Sequence, residues 1–431
     1  MKTDVMTSGA SLLVVCHAWY GDVIGGSFRL ASEFAEDLAA AGYDLHYVCC
    51  APDDPADRPE CEQINGVTID RYPPPAAGAG PMSRMRHHIG RTRAIVARIC
   101  EQHRVAAVSG HSPLQFLGAA RGVPRGSAFL NYTVHSPFDD EVAANARGAG
   151  ILSKLTRWPA VRAARWIDRR NCTLADRVQC DSQYTLDTLQ RKYPREVDQK
   201  GCVAPGWVDY DRFSAAGDRA LARRALGKEW QSDLPVFFTL RRLEARMGLD
   251  TLIAAAAVVR DRGHGFRVLI GGGGSLRPTL EQQVRDCRLT EQVQFLGRVP
   301  EAHLATCYAA ADCFVLPTRA LECFGLIVLE SFAAGTPVIA SRAAAIPEIA
   351  GRQGPGWDFE PGNVPELADR LTAYLEGRLL PTVDLRGIAR EYDRPRVFER
   401  WQRLLVGDGS ADRDHARSTR AVAMSPVVQN L

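Results

Sequence analysis

Apolar positions along this chain follow two alternating periods. Continuous apolar runs rich in β-branched residues, "SLLVVCHAW" first among them, have the pattern of parallel strands buried on both faces. The segments between such runs carry apolar residues every three to four positions. In "SFRLASEFAEDLAAAG", Ala31, Phe34, Ala35 and Leu38 fall on one helical face, and Gly42 supplies a stop signal. "YDLHYVCC" predicts the next strand, so the chain opens as a βαβ unit, whose crossover is right-handed. "VAAVSGHS", "SAFLNYTVHS" and "DRVQCDS" predict three more strands, the last after a long basic helix, whereas "YPPPAAGAGPM" is a Pro/Gly loop.

A turn-rich stretch, "CVAPGWVDYDRFSAAGD" (202–218), reads as an interdomain linker. A second alternating series follows. The strands "PVFFTL", "FRVLIGG", "VQFLG", "CFVLPT" and "PVIAS" are separated by the helices "LDTLIAAAAVVRDRG", "LRPTLEQQVRDCRL", "EAHLATCYAAAD" and "LIVLESFAAG". Strands alternating with helices in both halves predict an α/β protein of two doubly wound, parallel-sheet domains.

Composition narrows the function. The 431 residues are 46% hydrophobic and 24% charged, ample for more than one core. A net charge of +3, with no dense basic block carrying interleaved aromatics, excludes nucleic acid as the expected partner. The only lysines are Lys2, Lys154, Lys192, Lys200 and Lys228, so beyond position 228 fixed positive charge must come from arginine. Twelve scattered cysteines show no CxxC and no Cys/His cluster at metal-ligand spacing, so reduced thiols and no metal are expected. The N-terminal apolar run is broken by His17 and is too short for a signal peptide, and no run approaches a membrane span. A cytoplasmic location is expected. The segment "ILSKLTRWPAVRAARWIDRR" (151–170) mixes arginines with Trp158 and Trp166, a composition able to dock on an anionic membrane. Its stripe of Val161, Ala164 and Ile167 favours a packed helix instead.

The chemistry gathers in "ALECFGLIVLESFAAGTPVIAS" (320–341). Glu322 falls in the loop at the carboxyl end of a predicted strand, where ligands of open α/β sheets bind, and Glu330 lies two helical turns further along, in the next helix. Each carboxylate can accept hydrogen bonds from a sugar diol. The amides of Phe324, Gly325 and Leu326 are free donors at the helix start, and Gly325 permits close approach of a ligand. "LIGGGGSL" lacks both the P-loop lysine and the dinucleotide fingerprint, so it reads as a tight strand-to-helix turn.

E-x7-E joined to "FGLIVLE", "AAGTPVIAS" and "IPEI" resembles family 4 of the retaining glycosyltransferases with the GT-B fold. "GGSFR", "TVHSP", "DRVQCDSQYT", "VAPGWVDYDRF", "LRRLEARMGLDTLIAA", "FLGRVPEAHL" and "CFVLPT" follow in that family's order. The resemblance implies two Rossmann-like domains facing a cleft. Residues 1–10 would be a flexible N-terminus, 11–205 the acceptor domain and 206–390 the nucleotide-sugar domain. Residues 391–406 would be a helix returning to the first domain, and the aperiodic 407–431 a disordered tail.

On the same resemblance Glu330 holds the nucleotide ribose, and Glu322 with the Phe324–Leu326 backbone holds the donor sugar. Arg242 keeps the family's arginine position, but Met247 stands where a lysine is usual. Arg246, the nearest cation, is expected to join Arg242 in clamping the diphosphate. Arg298 and Val299 in "GRVP" correspond to the base-contacting loop, Gly25 and Gly26 bring amides to the cleft, and His135 matches a histidine on the donor sugar. Asp139, Asp140 and Glu141 would suit a cationic acceptor such as an aminocyclitol, in keeping with an overall likeness to enzymes that glycosylate 2-deoxystreptamine. The implied reaction is metal-independent, cofactor-free transfer from an NDP-sugar, with UDP-N-acetylglucosamine the preferred donor. A lipid or polysaccharide acceptor at a membrane surface and a non-catalytic nucleotide-sugar-binding subunit are the alternatives. A phosphorylase would need a pyridoxal-phosphate lysine in the second domain, which has none beyond Lys228, and an epimerase fits "TVHSP" less well.

Overall fold

The apolar runs become strands with almost no exposed residue. β1 (Ser11–Val15) is buried at all five positions, and β12 (Cys313–Leu316) at all four. The computed structural model describes residues 9–23, 25–52, 58–145 and 151–407. The expected tail from 408 onward and residues 1–8 of the expected flexible N-terminus lie outside them.

The first sheet comprises β1, β2 (Asp44–Cys50), β3 (Cys61–Ile64), β4 (Val67–Tyr72), β5 (Val105–Gly110), β6 (Phe129–Val134), β7 (Arg177–Cys180) and β8 (Gly201–Val203), in the order β3-β4-β2-β1-β5-β6-β7-β8. Its pairings are parallel except β3–β4, an antiparallel edge hairpin. That hairpin corrects the all-parallel expectation. Asn65-Gly66 turns it with φ of 51° and 83°, the left-handed pair that a two-residue hairpin loop demands.

The second sheet comprises β9 (Val236–Leu240), β10 (Arg267–Gly271), β11 (Val293–Gly297), β12, β13 (Val338–Ser341) and β14 (Asp358–Phe359), all parallel, in the order β11-β10-β9-β12-β13-β14. Strand order reverses at β1 in the first sheet and at β9 in the second, so the crevices open at the carboxyl ends of β1/β5 and β9/β12.

The helix Arg394–Val406 packs on the first domain. Its Val397, Trp401, Leu404 and Leu405 join Leu12, Phe34 and Trp207 in one apolar core. The Trp401 indole N–H donates to the Pro205 carbonyl at 2.8 Å, and Arg394 holds Asp37 through two bonds of 2.9 Å. On the helix Ile151–Leu174, Ala164 and Ile167 are buried as their spacing predicts. Trp158 and Trp166 are nevertheless 74% and 56% exposed, among the exposed Arg162, Arg165 and Arg169. No described helix is long and apolar enough to cross a membrane.

Candidate active site

Three loops of the second domain build one wall of the cleft. After β9 the chain runs through Arg241–Gly248, and the glycines after β10 lie against it. A Cβ at Gly272 would stand 1.9 Å from the Arg241 carbonyl oxygen, so only glycine allows this approach. The Leu243 amide donates to the Gly273 carbonyl at 2.9 Å, and the Gly272 amide to the Gly297 carbonyl at 2.7 Å. The four glycines therefore lace the loops after β9, β10 and β11 together, and Val299 packs over Gly271 while Arg298 is exposed.

The loop after β12 carries Glu322. Arg241 Nη2 donates to Glu322 Oε2 at 2.6 Å and to Thr318 Oγ1 at 2.8 Å. Arg246 Nη1 donates to the Leu321 carbonyl at 3.2 Å. Leu321 sits at φ 59°, a left-handed conformation that a leucine rarely adopts without such restraint. Burial, then the like charges of Arg242 and Arg241, pull the Arg246 pKa below the ordinary arginine range. Two arginines thus reach this loop, Arg241 at the carboxylate and Arg246 at the Leu321 carbonyl. Arg242 itself is exposed, so the inward partner of Glu322 is its neighbour Arg241, which sequence reasoning passed over. Met247 is buried at 4% exposure and points away from solvent, leaving Arg246 as the cation at that turn.

The helix Leu326–Ala333 begins directly after Gly325, whose φ of 91° reverses the chain. Among the described residues no acceptor takes the amides of Phe324, Gly325 or Leu326. Glu330 is buried at 6% exposure; its Oε1 accepts from Arg29 Nη1 at 2.9 Å and its Oε2 from the Tyr308 hydroxyl at 2.8 Å. Burial pushes the Glu330 carboxyl above the ordinary glutamate range, against the pull of Arg29 and Tyr308.

Arg29 belongs to the other domain. Gly25 precedes and Gly26 opens the helix Gly26–Ala40, and Arg29 lies one turn in, held also by Glu33 at 2.9 Å. A Cβ on Gly26 would lie 3.4 Å from Leu326 Cδ1, so the two helix starts meet across the cleft. A second link comes from Glu348, whose carboxylate accepts the amides of Gln183 and Tyr184 at 3.0 and 2.6 Å at the start of the helix Gln183–Lys192.

His135 follows β6. Its Nδ1 is 2.7 Å from Asp181 Oδ2, and its Nε2 is 3.1 Å from Nδ1 of His111, whose Nε2 reaches Ser109 Oγ at 3.0 Å. Burial, then His135, pulls the His111 pKa well below its ordinary value, so that ring is neutral. Both nitrogens of His135 are therefore engaged within the protein, and Asp181, not singled out from the sequence, fixes the ring. The acidic triplet is divided. Asp139 is 1% exposed and spent on Lys192 at 2.6 Å and Arg165 at 3.1 Å, and Asp140 pairs with Lys192 at 2.7 Å. Only Glu141 is exposed, bonded to the Ser136 hydroxyl, so three open carboxylates are not what the fold presents.

Behind this loop lies Asp168, fully buried, accepting from the Tyr132 hydroxyl at 3.0 Å and from the Phe138 amide at 2.7 Å. Burial pushes its pKa up to about 7. The folded protein then keeps a proton, between about pH 4 and pH 7, that the unfolded chain has released. This contribution to stability is full on the acid side and is lost as pH rises through about 7. Thermal midpoints between pH 5 and pH 8 are expected to fall more steeply for the wild type than for Asp168→Asn. Parallel curves would refute it.

Two family descriptions match the two domains. Glycosyltransferase Family 4 matches residues 24–212, and Glycosyl transferases group 1 matches residues 225–393. The chain belongs to the family 4 glycosyltransferases of GT-B fold. It is 33% identical over 187 residues to a GDP-mannose-dependent alpha-(1-6)-phosphatidylinositol monomannoside mannosyltransferase of Mycobacterium tuberculosis, covering 42% of this chain and 47% of that protein. It is 30% identical over 240 residues to a D-inositol 3-phosphate glycosyltransferase of Streptomyces scabiei, covering 53% of this chain and 50% of the other. The chain thus spans about half the length of the curated relatives it matches. Among solved structures, sucrose-phosphate synthase of Thermosynechococcus elongatus superposes with a TM-score of 0.75 at 20% identity, over 92% of this chain and 98% of that one. Anabaena HepE, in complex with UDP and glucose, gives 0.69 at 17% identity, over 92% and 99%. At these identities the likeness is one of fold.

Proposed function

We propose that the chain is a retaining hexosyltransferase that moves a sugar from a nucleoside diphosphate sugar to a hydroxyl group. The observation that carries this reading is the convergence of Arg241 and Arg246 on the Glu322 loop, with the charge of Arg242 close by, beside helix-start amides that no described acceptor takes. With Glu322 taken by Arg241, the charges of Arg242 and Arg246 are left for a diphosphate, and fixed donors at developing negative charge are the strongest lever on such a reaction. Glu330 takes the ribose hydroxyls, since an ionised carboxylate has lone pairs beyond the two used by Arg29 and Tyr308. Glu322 and the Phe324–Leu326 amides take the sugar, and Arg298 and Val299 border the base.

In the reaction the bond from the anomeric carbon to the phosphate oxygen breaks, and the acceptor oxygen bonds to that carbon on the same face. The acceptor proton passes to the departing diphosphate. Arginines and helix-start amides carry the electrostatic role, with no metal or cofactor required. His135, fixed by Asp181, lines the first-domain side.

UDP-N-acetylglucosamine is the first donor to test and a cyclic polyol such as an aminocyclitol the first acceptor. A relative named for D-inositol 3-phosphate supports the cyclic polyol class. The amine rests on Glu141 alone, because Asp139 and Asp140 are paired with Lys192 and Arg165. The exposed Trp158 and Trp166 among arginines favour a second reading, a lipid acceptor at an anionic membrane, and a relative is named for a phosphatidylinositol mannoside. Thermal shift with UDP, GDP, ADP and dTDP, each without metal, tests the donor site. A nucleotide at a hundred times its Kd stabilises by about 2.7 kcal/mol, a shift of several degrees. One clear responder is expected; no response to any would overturn the donor site. A response without transfer to any acceptor would favour a binding subunit, and sedimentation with anionic but not neutral vesicles would favour the lipid reading.

A further inference from the structure

We propose that Asp44, His46 and His103 form a binding site for a divalent transition-metal ion, zinc foremost, on the side of the first domain away from the cleft. Asp44 and His46 stand two residues apart at the start of β2, hence on one face of the sheet, and His103 ends the helix Pro81–Gln102. One ligand atom from each lies within 4.8 Å of the others. Asp44 Oδ2 and His103 Nδ1 are 3.6 Å apart, too far for a hydrogen bond. Atoms at that separation subtend about 120° at an ion ~2.1 Å from each, near the tetrahedral value. The two imidazoles meet edge to face at 4.7 Å.

The surroundings have the form of an outer coordination sphere. His46 Nδ1 is 3.3 Å from Asp70 Oδ2, and the other oxygen of Asp70 accepts from Arg98 at 2.9 Å. A carboxylate behind an imidazole fixes its tautomer, with Nε2 left for an ion. The Ser11 hydroxyl holds Asp44 in turn. Two imidazoles and one carboxylate suit zinc, whereas magnesium and calcium prefer all-oxygen sites. The ion would also sit at the carboxyl end of a 22-residue helix, where positive charge is favoured. Because the strands carry the sugar site at their opposite ends, the ion's role is to staple this helix end to β2.

Titration calorimetry on tag-free, chelator-treated full-length protein tests it with zinc and magnesium chlorides. One zinc per chain and a raised thermal midpoint are expected, with no magnesium response. His103→Ala and Asp44→Ala should each weaken zinc binding about tenfold or more, with the nucleotide-induced thermal shift unchanged. No stoichiometric zinc binding by the wild type would overturn the site. Wild-type affinity in both variants would overturn it equally, and loss of that binding in Cys61→Ser would then place the ion on the exposed thiol.

Discussion

Arg246→Ala is expected to lower kcat/KM by about two to three orders of magnitude while the protein stays folded. The guanidinium is half-buried, among the described residues it bonds only the Leu321 carbonyl, and its nearest charges include two other arginines. Burial and like charge both work against the cation, so Arg246 contributes little to stability in the free protein. That arrangement is economical only if an anion enters beside it. Truncation should therefore separate activity from stability: a large kinetic loss, with the thermal midpoint moving by no more than a surface substitution would move it. Arg246→Lys retains a point charge but loses the fork, and should recover part of the rate. Steady-state kinetics with varied donor decide it, and wild-type kcat/KM in Arg246→Ala would end the diphosphate-clamp reading.

Much of this site was legible in the sequence because strand ends and helix starts are local signals. The carboxyl end of β12, Glu322 and the Gly325 reversal follow from a few consecutive residues. What escaped was orientation and distance. Arg241 and Arg242 are adjacent, and which one turns inward depends on how the loop leaves β9 against the glycines of another loop. Asp139 looked like an open carboxylate because nothing local shows that Lys192 and Arg165 converge on it. Arg29 read as one position in an amphipathic helix, yet its partner lies 301 residues on. The β3–β4 hairpin, by contrast, was announced by Asn65-Gly66 between apolar residues, a local signal that went unused.

Arg29 is expected to set the pH dependence of nucleotide binding although it stands in the first domain and Glu330 in the second. Burial pushes the Glu330 carboxyl up, and the Arg29 charge at 2.9 Å is the chief force opposing that rise. In Arg29→Ala the carboxyl loses its cation and its pKa climbs further. At lower pH it then carries a proton, and a neutral acid accepts ribose hydroxyls less well than a carboxylate. Nucleotide affinity of the variant should therefore fall more steeply as pH is lowered than that of the wild type. Where the carboxyl is protonated the loss should reach about tenfold or more, since hydrogen bonds to charged groups contribute roughly 1.5–3 kcal/mol. Glu330→Gln should bind weakly at every pH. It should also be destabilised by about 3 kcal/mol or more, because one anion that holds the buried Arg29 is gone. A double-mutant cycle on nucleotide binding separates the cases. If Arg29 acts through Glu330, adding Arg29→Ala to Glu330→Gln costs little more, and the pH dependence disappears. Additive losses with a pH slope preserved would show that Arg29 only packs the helix start, and that the ribose carboxylate keeps its charge without help from the opposite domain.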